Sequence, residues 1–294
     1  MANIFVFGTA VVDFIHFVES FPEGGFKHFS NDAEYSGGGT GANAAVAVSR
    51  LGGRAEFGAR IGADLIAKLI LDGLEEEGID TRHVMQSESG RSPFSSVIVD
   101  RMGERQLISF RGRGLTENAG WLDEMPDCDG YLADARWNPG LERTLARARE
   151  LGRPGVVDVE RGASAEALRS ASHIAFSRQG IQALTGEDNP ARALKKVTAH
   201  FDSWICVTDG ENGVYRMSGG RVENIPAFRI TAKNTLGAGD VWHGAFTLRL
   251  AEGAAEDDAV LFANAAAAIK CTRKGGRDSF PRRDEVDKLL RDGA

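Results

Sequence analysis

Asn234-Thr235-Leu236-Gly237-Ala238-Gly239-Asp240 runs directly into an apolar stretch, Val241 to Leu250, that reads as a helix. A turn of small residues at a helix start leaves backbone N–H groups without intrahelical acceptors. The helix dipole adds positive potential, so the stretch suits an anion such as a phosphate in transfer. Asp240 at that helix start can take a proton from an attacking hydroxyl while Gly237, Ala238 and Gly239 hold charge on the phosphate. An aspartate here can equally be an N-cap after a tight turn, and the residues alone leave both readings open. A second stretch, Gly37-Gly38-Gly39-Thr40-Gly41-Ala42-Asn43, also opens a helix. Gly37, Gly39 and Ala42 fit the dinucleotide pattern GxGxxG/A only loosely. No clear strand directly precedes them, and no persuasive acidic residue follows about 20 positions on. There is no GxxxxGK[ST], which excludes a P-loop enzyme. Gly38 and Gly39 would let a small polar ligand reach the backbone, with Asn43 offering donor and acceptor to hydroxyls. A flexible loop before a helix is the alternative.

The elements that must position these residues alternate. Asn3–Phe7 reads as a strand buried on both faces, Ala42–Leu51 as a helix stopped by Gly52-Gly53, Ala55–Arg60 as a strand, and Leu65–Glu77 as an amphipathic helix closed by Gly78. Gly130–Ala133, Gly155–Val159 and Trp204–Thr208 read as further strands, with helices over Leu141–Leu151, Asp240–Ala251 and Asp257–Thr272. This alternation predicts an α/β fold, a mostly parallel central sheet flanked by helices. Two stretches break the pattern. Segments 14–35 and 92–111 mix aromatic and polar residues around turns and read as antiparallel β segments, together a small lid on a single domain spanning 1–294.

Composition narrows the functions. The 294 residues are 42% hydrophobic and 26% charged, enough for a sizeable core near the upper limit for one domain. Net charge is −7, and a nucleic-acid or anionic-membrane binder usually carries a basic excess, so neither partner is expected. Cys128, Cys206 and Cys271 lie far apart with no metal-ligand spacing, which argues against zinc or a disulfide framework and for a reducing cytoplasm. The N-terminal apolar stretch lacks a basic n-region and reads as a buried strand rather than a signal peptide. No apolar run approaches the roughly 20 residues that span a bilayer.

The two glycine-rich stretches, in this order and one near each end of the chain, resemble the two signatures of the ribokinase-like (phosphofructokinase-B) family of carbohydrate kinases. The likeness runs from Asn3 to Pro281. It implies a ribokinase-like fold, ATP as phosphoryl donor, Mg2+ with the nucleotide and, in some members, K+. It implies Asp240 as catalytic base, an anion hole from Gly237, Ala238 and Gly239, and a sugar site from Asp13, Gly38, Gly39 and Asn43. Thr208-Asp209-Gly210 resembles the nucleotide loop, with Thr208 and Gly210 nearest ATP. Asn264, Gly275 and Gly276 resemble the adenine-side wall, and Ser279 a monovalent-cation position. Three departures stand out. Asn234 replaces a commoner Asp before the anion hole, Thr40 replaces a frequent Lys, and the Asn-x-x-Glu motif that would fall on Ser177 to Gly180 is absent.

The substrate is read from Asp134-Ala135-Arg136-Trp137-Asn138, at the end of an expected strand, where α/β enzymes place ligand contacts. Together with "AFSRQG" and "KCTRKGGR" it resembles the ketohexokinase and sulfofructose kinase branch. Lys27 and Arg136 are then expected to hold the anionic 6-substituent of a ketohexose, with 6-deoxy-6-sulfofructose the leading candidate and O1 the acceptor. Lys27 as a solvated charge and Arg136 as an ion-pair partner are the competing readings; Arg111 and Arg113 are weaker candidates. A kinase for neutral fructose or ribose, a catalytically inactive sugar-binding regulator and a nicotinamide oxidoreductase are the rivals. A homodimer through the lid is expected because exposed β edges carry Phe14, Phe17 and Phe26.

Overall fold

β1 (Asn3–Phe7) shows why the short apolar runs become strands. Ile4 and Val6 enter one hydrophobic core and Phe5 and Phe7 another, none more than 2% exposed. This is the period-2 alternation of a strand between two helix layers. The computed structural model describes residues 1–160 and 163–293. The strands that follow are β2 (Val11–Phe17), β3 (Asp32–Gly38), β4 (Arg54–Gly62), β5 (Asp80–Ser87), β6 (Phe94–Val99), β7 (Arg105–Phe110), β8 (Gly130–Asp134), β9 (Gly155–Val159), β10 (His173–Ser177), β11 (Trp204–Thr208), β12 (Val214–Ser218) and β13 (Arg221–Ile225). The helices are α1 (Thr40–Arg50), α2 (Leu65–Glu75), α3 (Asn138–Glu150), α4 (Ala165–Leu168), α5 (Arg178–Thr185), α6 (Pro190–Thr198), α7 (Ala238–Ala251), α8 (Glu256–Cys271) and α9 (Arg283–Asp292).

The main sheet runs β13-β12-β11-β10-β9-β8-β1-β4-β5. Pairing is parallel from β5 to β11 and antiparallel for β12 and β13 at one edge. Buried residues of α1, α2, α7 and α8 fill one face, and those of α3 to α6 fill the other. The expected mostly parallel sheet is therefore present. Its parallel strands end on one edge, which places Gly8, Asp134, Asp158, Ser177 and Thr208 together at the carboxyl ends where such sheets bind ligands.

The second sheet, β3-β2-β6-β7, lies outside this layer. Both hairpin pairs are antiparallel as expected, but the central pair β2–β6 is parallel. β2 also starts at Val11, ahead of Phe14, because Val12, 1% exposed, carries the strand straight out of the core. Glycines set how closely the catalytic half packs. A Cβ on Gly41 would stand 2.6 Å from the Gly8 Cα, and one on Gly244 only 2.5 Å from the Ala44 carbonyl. Side chains there would hold α1 away from β1 and from α7, so these positions bring the two helix N-termini side by side.

Candidate active site

Gly237 is the N-cap of α7, in the left-handed region at φ 79°, where glycine costs nothing. Asp240 therefore lies inside the first turn rather than capping it. Its Oδ2 accepts from Asn43 Nδ2 of α1 at 2.8 Å, across a separation of 197 residues. The N-cap reading of Asp240 is excluded by that geometry. The residue is half-buried, and burial pushes its carboxyl up to about 7, with Asn43 opposing the shift and nearby Asp158 adding to it. A carboxyl poised near neutrality is suited to taking and returning a proton.

The loop before α7 is shaped by Asn234, whose Oδ1 accepts from the Leu236 N–H at 2.9 Å. Space around the Gly239 Cα is open, with no heavy atom within 4 Å of a would-be Cβ. Gly239 thus opens onto unfilled space at the positive end of a 14-residue helix, while the Ala238 N–H donates to the Thr235 carbonyl at 3.1 Å and shapes the turn. Beneath it, His243 Nδ1 donates to the Gly239 carbonyl at 2.8 Å and lies 3.5 Å from Asp158 Oδ2. Burial lowers His243, so the imidazole is neutral. Burial, with Glu160 and Asp134 nearby, holds the Asp158 carboxyl well above the usual range.

Gly39 caps α1 at φ 94°, and a Cβ there would stand 2.4 Å from the Thr9 carbonyl. Thr40, where the family often has Lys, donates its hydroxyl to Asp134 Oδ2 at 2.6 Å; the same oxygen accepts the Thr9 N–H at 2.6 Å. Asp13 of β2 lies against Gly38, where a Cβ would come within 2.4 Å of its Oδ2. Burial raises its carboxyl, while Ser95 and Arg277 counteract. Asp13, Gly38, Gly39, Asn43, Asp240 and the 237–239 amides are thus gathered from opposite ends of the chain.

Arg277, which sequence reasoning missed, holds this group together. It is 8% exposed and donates Nε to Asn43 Oδ1 at 3.1 Å and Nη2 to the Gly38 carbonyl at 3.2 Å. Filling Oδ1 fixes the Asn43 amide so that its NH2 meets Asp240. Burial lowers the guanidinium to about 10. Its place is prepared by Gly37, where a Cβ would stand 2.1 Å from Nη1, and by Arg50, which donates to the Arg277 carbonyl at 2.7 Å and pairs with Glu77. An arginine after Gly275-Gly276 gives no signal of this role in sequence.

Other expected residues are placed less centrally. Arg136 follows Asp134 at the strand edge and is ion-paired with Glu160. Lys27 lies in the exposed segment between β2 and β3, its ammonium 5.0 Å from the Phe29 ring centroid. Thr208 ends β11 and Gly210 opens the turn after it at φ 54°. Asn264 is not free to meet a nucleotide: Oδ1 accepts from Trp242 Nε1 at 2.8 Å and Nδ2 donates to the Pro226 carbonyl at 3.1 Å. It braces α8 against α7. Ser177, at the start of the missing Asn-x-x-Glu position, caps α5 by accepting from the Gly180 N–H at 3.0 Å.

The expected monovalent-cation pair, Asn234 and Ser279, does not form an open oxygen cage. Asn234 Oδ1 also accepts from Arg105 Nη2 at 3.1 Å, and its backbone carbonyl accepts from Lys270 Nζ at 2.9 Å. The Gly275 carbonyl is taken by Asn234 Nδ2 at 3.0 Å and by the Ser279 hydroxyl at 3.3 Å. Gly276 packs against Ser36, whose Oγ would be 2.5 Å from an added Cβ. These oxygens are already used by protein donors, two of them cationic. Among the described residues no group of three or more His, Cys, Asp or Glu side chains suits a metal ion either.

Comparisons with known proteins establish the fold and the family. Ribokinase from Haemophilus influenzae is 28% identical over 97% of this chain and 97% of its own. The solved structure of a ribokinase homologue from Agrobacterium tumefaciens superposes with a TM-score of 0.89 at 31% identity, covering 99% of this chain and 98% of that one. Ribokinase from Arabidopsis thaliana, solved with ribose and ATP, gives 0.86 at 22% identity over 98% of each chain, a likeness of fold. The architecture is the ribokinase-like α/β fold, and the pfkB carbohydrate kinase family matches residues 1–283. With the two signature loops meeting across the Asn43–Asp240 hydrogen bond, the chain belongs to the pfkB family of carbohydrate kinases.

Proposed function

We propose that this carbohydrate kinase transfers the γ-phosphate of ATP to a sugar hydroxymethyl group, with Asp240 as the base. The Asn43–Asp240 bond of 2.8 Å carries this reading, because it joins the sugar loop to the residue that would accept the hydroxyl proton. The oxygen attacks phosphorus as its proton passes to Asp240, and ADP leaves. The 237–239 amides and the α7 dipole stabilise charge on the transferring group, so catalysis is mainly positioning and electrostatics. Thr208 and Gly210 after β11, with Gly275 and Gly276 after α8, would flank the nucleotide. Asp158 Oδ1 is buried without a partner and Glu160 follows two residues on, so this edge suits the water shell of a Mg2+ ion arriving with ATP. That ion would neutralise phosphate charge near these carboxylates. The three cysteines are free and buried, which suits a reducing cytoplasm.

The finer proposal is a ketohexose with an anionic 6-substituent, 6-deoxy-6-sulfofructose first, phosphorylated at O1. Arg136 at the end of β8 supports it, and release of Arg136 from Glu160 would make it available. A neutral pentose or hexose is the second reading, favoured by the ribokinases among the relatives. An ADP-release assay over ribose, fructose, fructose 6-phosphate and 6-deoxy-6-sulfofructose decides between them. Activity on ribose or fructose equal to that on the anionic ketoses removes the anionic reading, and no ADP release with any sugar removes the kinase reading. We also propose a homodimer through the second sheet. Its strands and connecting segment expose Phe26 (80%), Phe29 (79%), Ile108 (73%) and Tyr35 (64%), more apolar surface than a free sheet usually leaves in water.

A further inference from the structure

We propose that Lys270 supplies, as part of the chain, the positive charge that a monovalent cation would bring to the phosphate loop, so that this protein works without such an ion. The proposal rests on the kinase reading above. Lys270 lies in the last turn of α8 and is wholly buried, a rare state for a lysine because its ammonium must be satisfied away from water. The ammonium donates to the Asn234 carbonyl at 2.9 Å. Asn234 is the residue that opens the loop to Gly239 and sets its turn through the Leu236 N–H. A cation held at this carbonyl fixes the loop and adds positive potential on the side where α7 presents its N-terminus.

The surrounding oxygens leave no vacancy for a second cation. Asn234 Oδ1 accepts from both the Leu236 N–H and the Arg105 guanidinium. The Gly275 carbonyl accepts from Asn234 Nδ2 and Ser279, and the Ser279 hydroxyl also reaches the Gly276 carbonyl at 2.6 Å. A free ion would have to displace these donors and stand between Lys270 and Arg105. The neutral amide at position 234 fits the same logic: a carboxylate there would attract an ion, whereas an amide whose Oδ1 already accepts from Arg105, beside a backbone carbonyl held by Lys270, does not. Lys270 touches protein only and is a positioning residue. Its charge is held by a packed helix and needs no reorganisation as phosphate charge develops.

The test compares wild type, Lys270→Met and Lys270→Ala in buffers of tetramethylammonium, with K+, Rb+ or NH4+ added. Wild type is expected to turn over equally in all of them and to show no change in Tm. The variants are expected to lose on the order of tenfold in kcat. Added K+ or NH4+ should restore most of it and raise their Tm, a rescue that a purely structural lysine would not give. Strong K+ activation or K+-dependent stabilisation of wild type overturns the proposal. So does a folded variant with full activity, or an impaired one that no small cation restores. If neither variant folds, the wild-type responses decide alone. The Tm response needs no substrate, so it stands even if no sugar is phosphorylated, an outcome that would count against the kinase reading instead.

Discussion

The hydrogen bond from Asn43 to Asp240 should set the pH at which the enzyme works. With Asp240 at about 7, roughly half the molecules hold the base ready at neutral pH. Asn43→Ala removes the Nδ2 donor at 2.8 Å. A hydrogen bond to a charged acceptor contributes about 1.5–3 kcal/mol, or about one to two pK units at 1.36 kcal/mol each. The base would then titrate near pH 8 to 9. The ionised fraction at pH 7 would fall to about 10% or 1%, and kcat by roughly fivefold to fiftyfold, recovering as pH rises toward 10. Asp158, Glu160 and His243 face the same carboxyl and are untouched by this variant, as is Lys270 within its field; Arg277 loses its acceptor at Asn43 Oδ1 but keeps its bond to the Gly38 carbonyl. The assay is ADP release at saturating sugar from pH 5.5 to 10, because Asn43 is also expected to bind sugar and its loss would raise KM. An acid limb unmoved from pH 7, or an equal loss of kcat at every pH, would refute the reasoning.

Asp240→Asn should lower kcat by roughly 10²–10⁴ while leaving the fold intact, and near-normal turnover would remove Asp240 as the base. The same variant should be more stable than wild type at pH 8 and nearly equal at pH 4. The folded carboxyl titrates above its unfolded value, so wild-type stability from this group falls as pH rises from about 4 through about 7; equal Tm values at pH 8 would contradict that. Gly244→Val should cost about 1–3 kcal/mol and weaken catalysis, because even its Cβ meets the Ala44 carbonyl at 2.5 Å and pushes α1 from α7; an unchanged Tm would count against the close packing. Lys27→Ala and Arg136→Ala should erode a preference for anionic ketoses about tenfold or more in kcat/KM while barely changing fructose turnover, and an equal loss on both sugars would argue against charge recognition. Sedimentation velocity at micromolar concentration should give a dimer that Ile108→Glu dissociates, and a wild-type monomer would remove the proposed interface.

The parts of the fold legible in sequence are those whose local chemistry is strong. Asn3–Phe7, Gly155–Val159 and Trp204–Thr208 are read at their observed bounds because each is a short apolar run buried on both faces. β10, β12 and β13 are not legible in the sequence. β10 carries polar ends at His173 and Ser177, and the edge pair is half-exposed with arginines inside it, so neither shows a clean period. The parallel β2–β6 pairing was also hidden, since strand alternation gives faces but not partners. In the site, Asp240 and Asn43 were legible from small-residue turns that open helices. Arg277 and Lys270 were not, because a charged residue near a glycine pair or in a helix reads as solvated surface. Only the tertiary fold shows that both are buried.

That blindness bears on how a chain of net charge −7 can bind a polyanionic nucleotide. The carboxyl ends of the sheet gather Asp134 and Asp158, with Glu160 just beyond, and Asp13 and Asp240 stand nearby. Wherever these carboxyls are ionised, this edge repels phosphate. The opposing potential is built from groups that composition cannot reveal: the α7 dipole, which opens onto free space at Gly239, and the buried cations Arg277 and Lys270. Arg277 reaches the acidic side by bonding Asn43, and Lys270 reaches the phosphate side by bonding Asn234. The two thus separate the roles of the site, one holding the base and sugar loop in register, the other holding the phosphate loop. Because both are desolvated, their fields are strong and poorly screened. The overall acidity of the chain therefore places no bar on phosphate chemistry at this one loop.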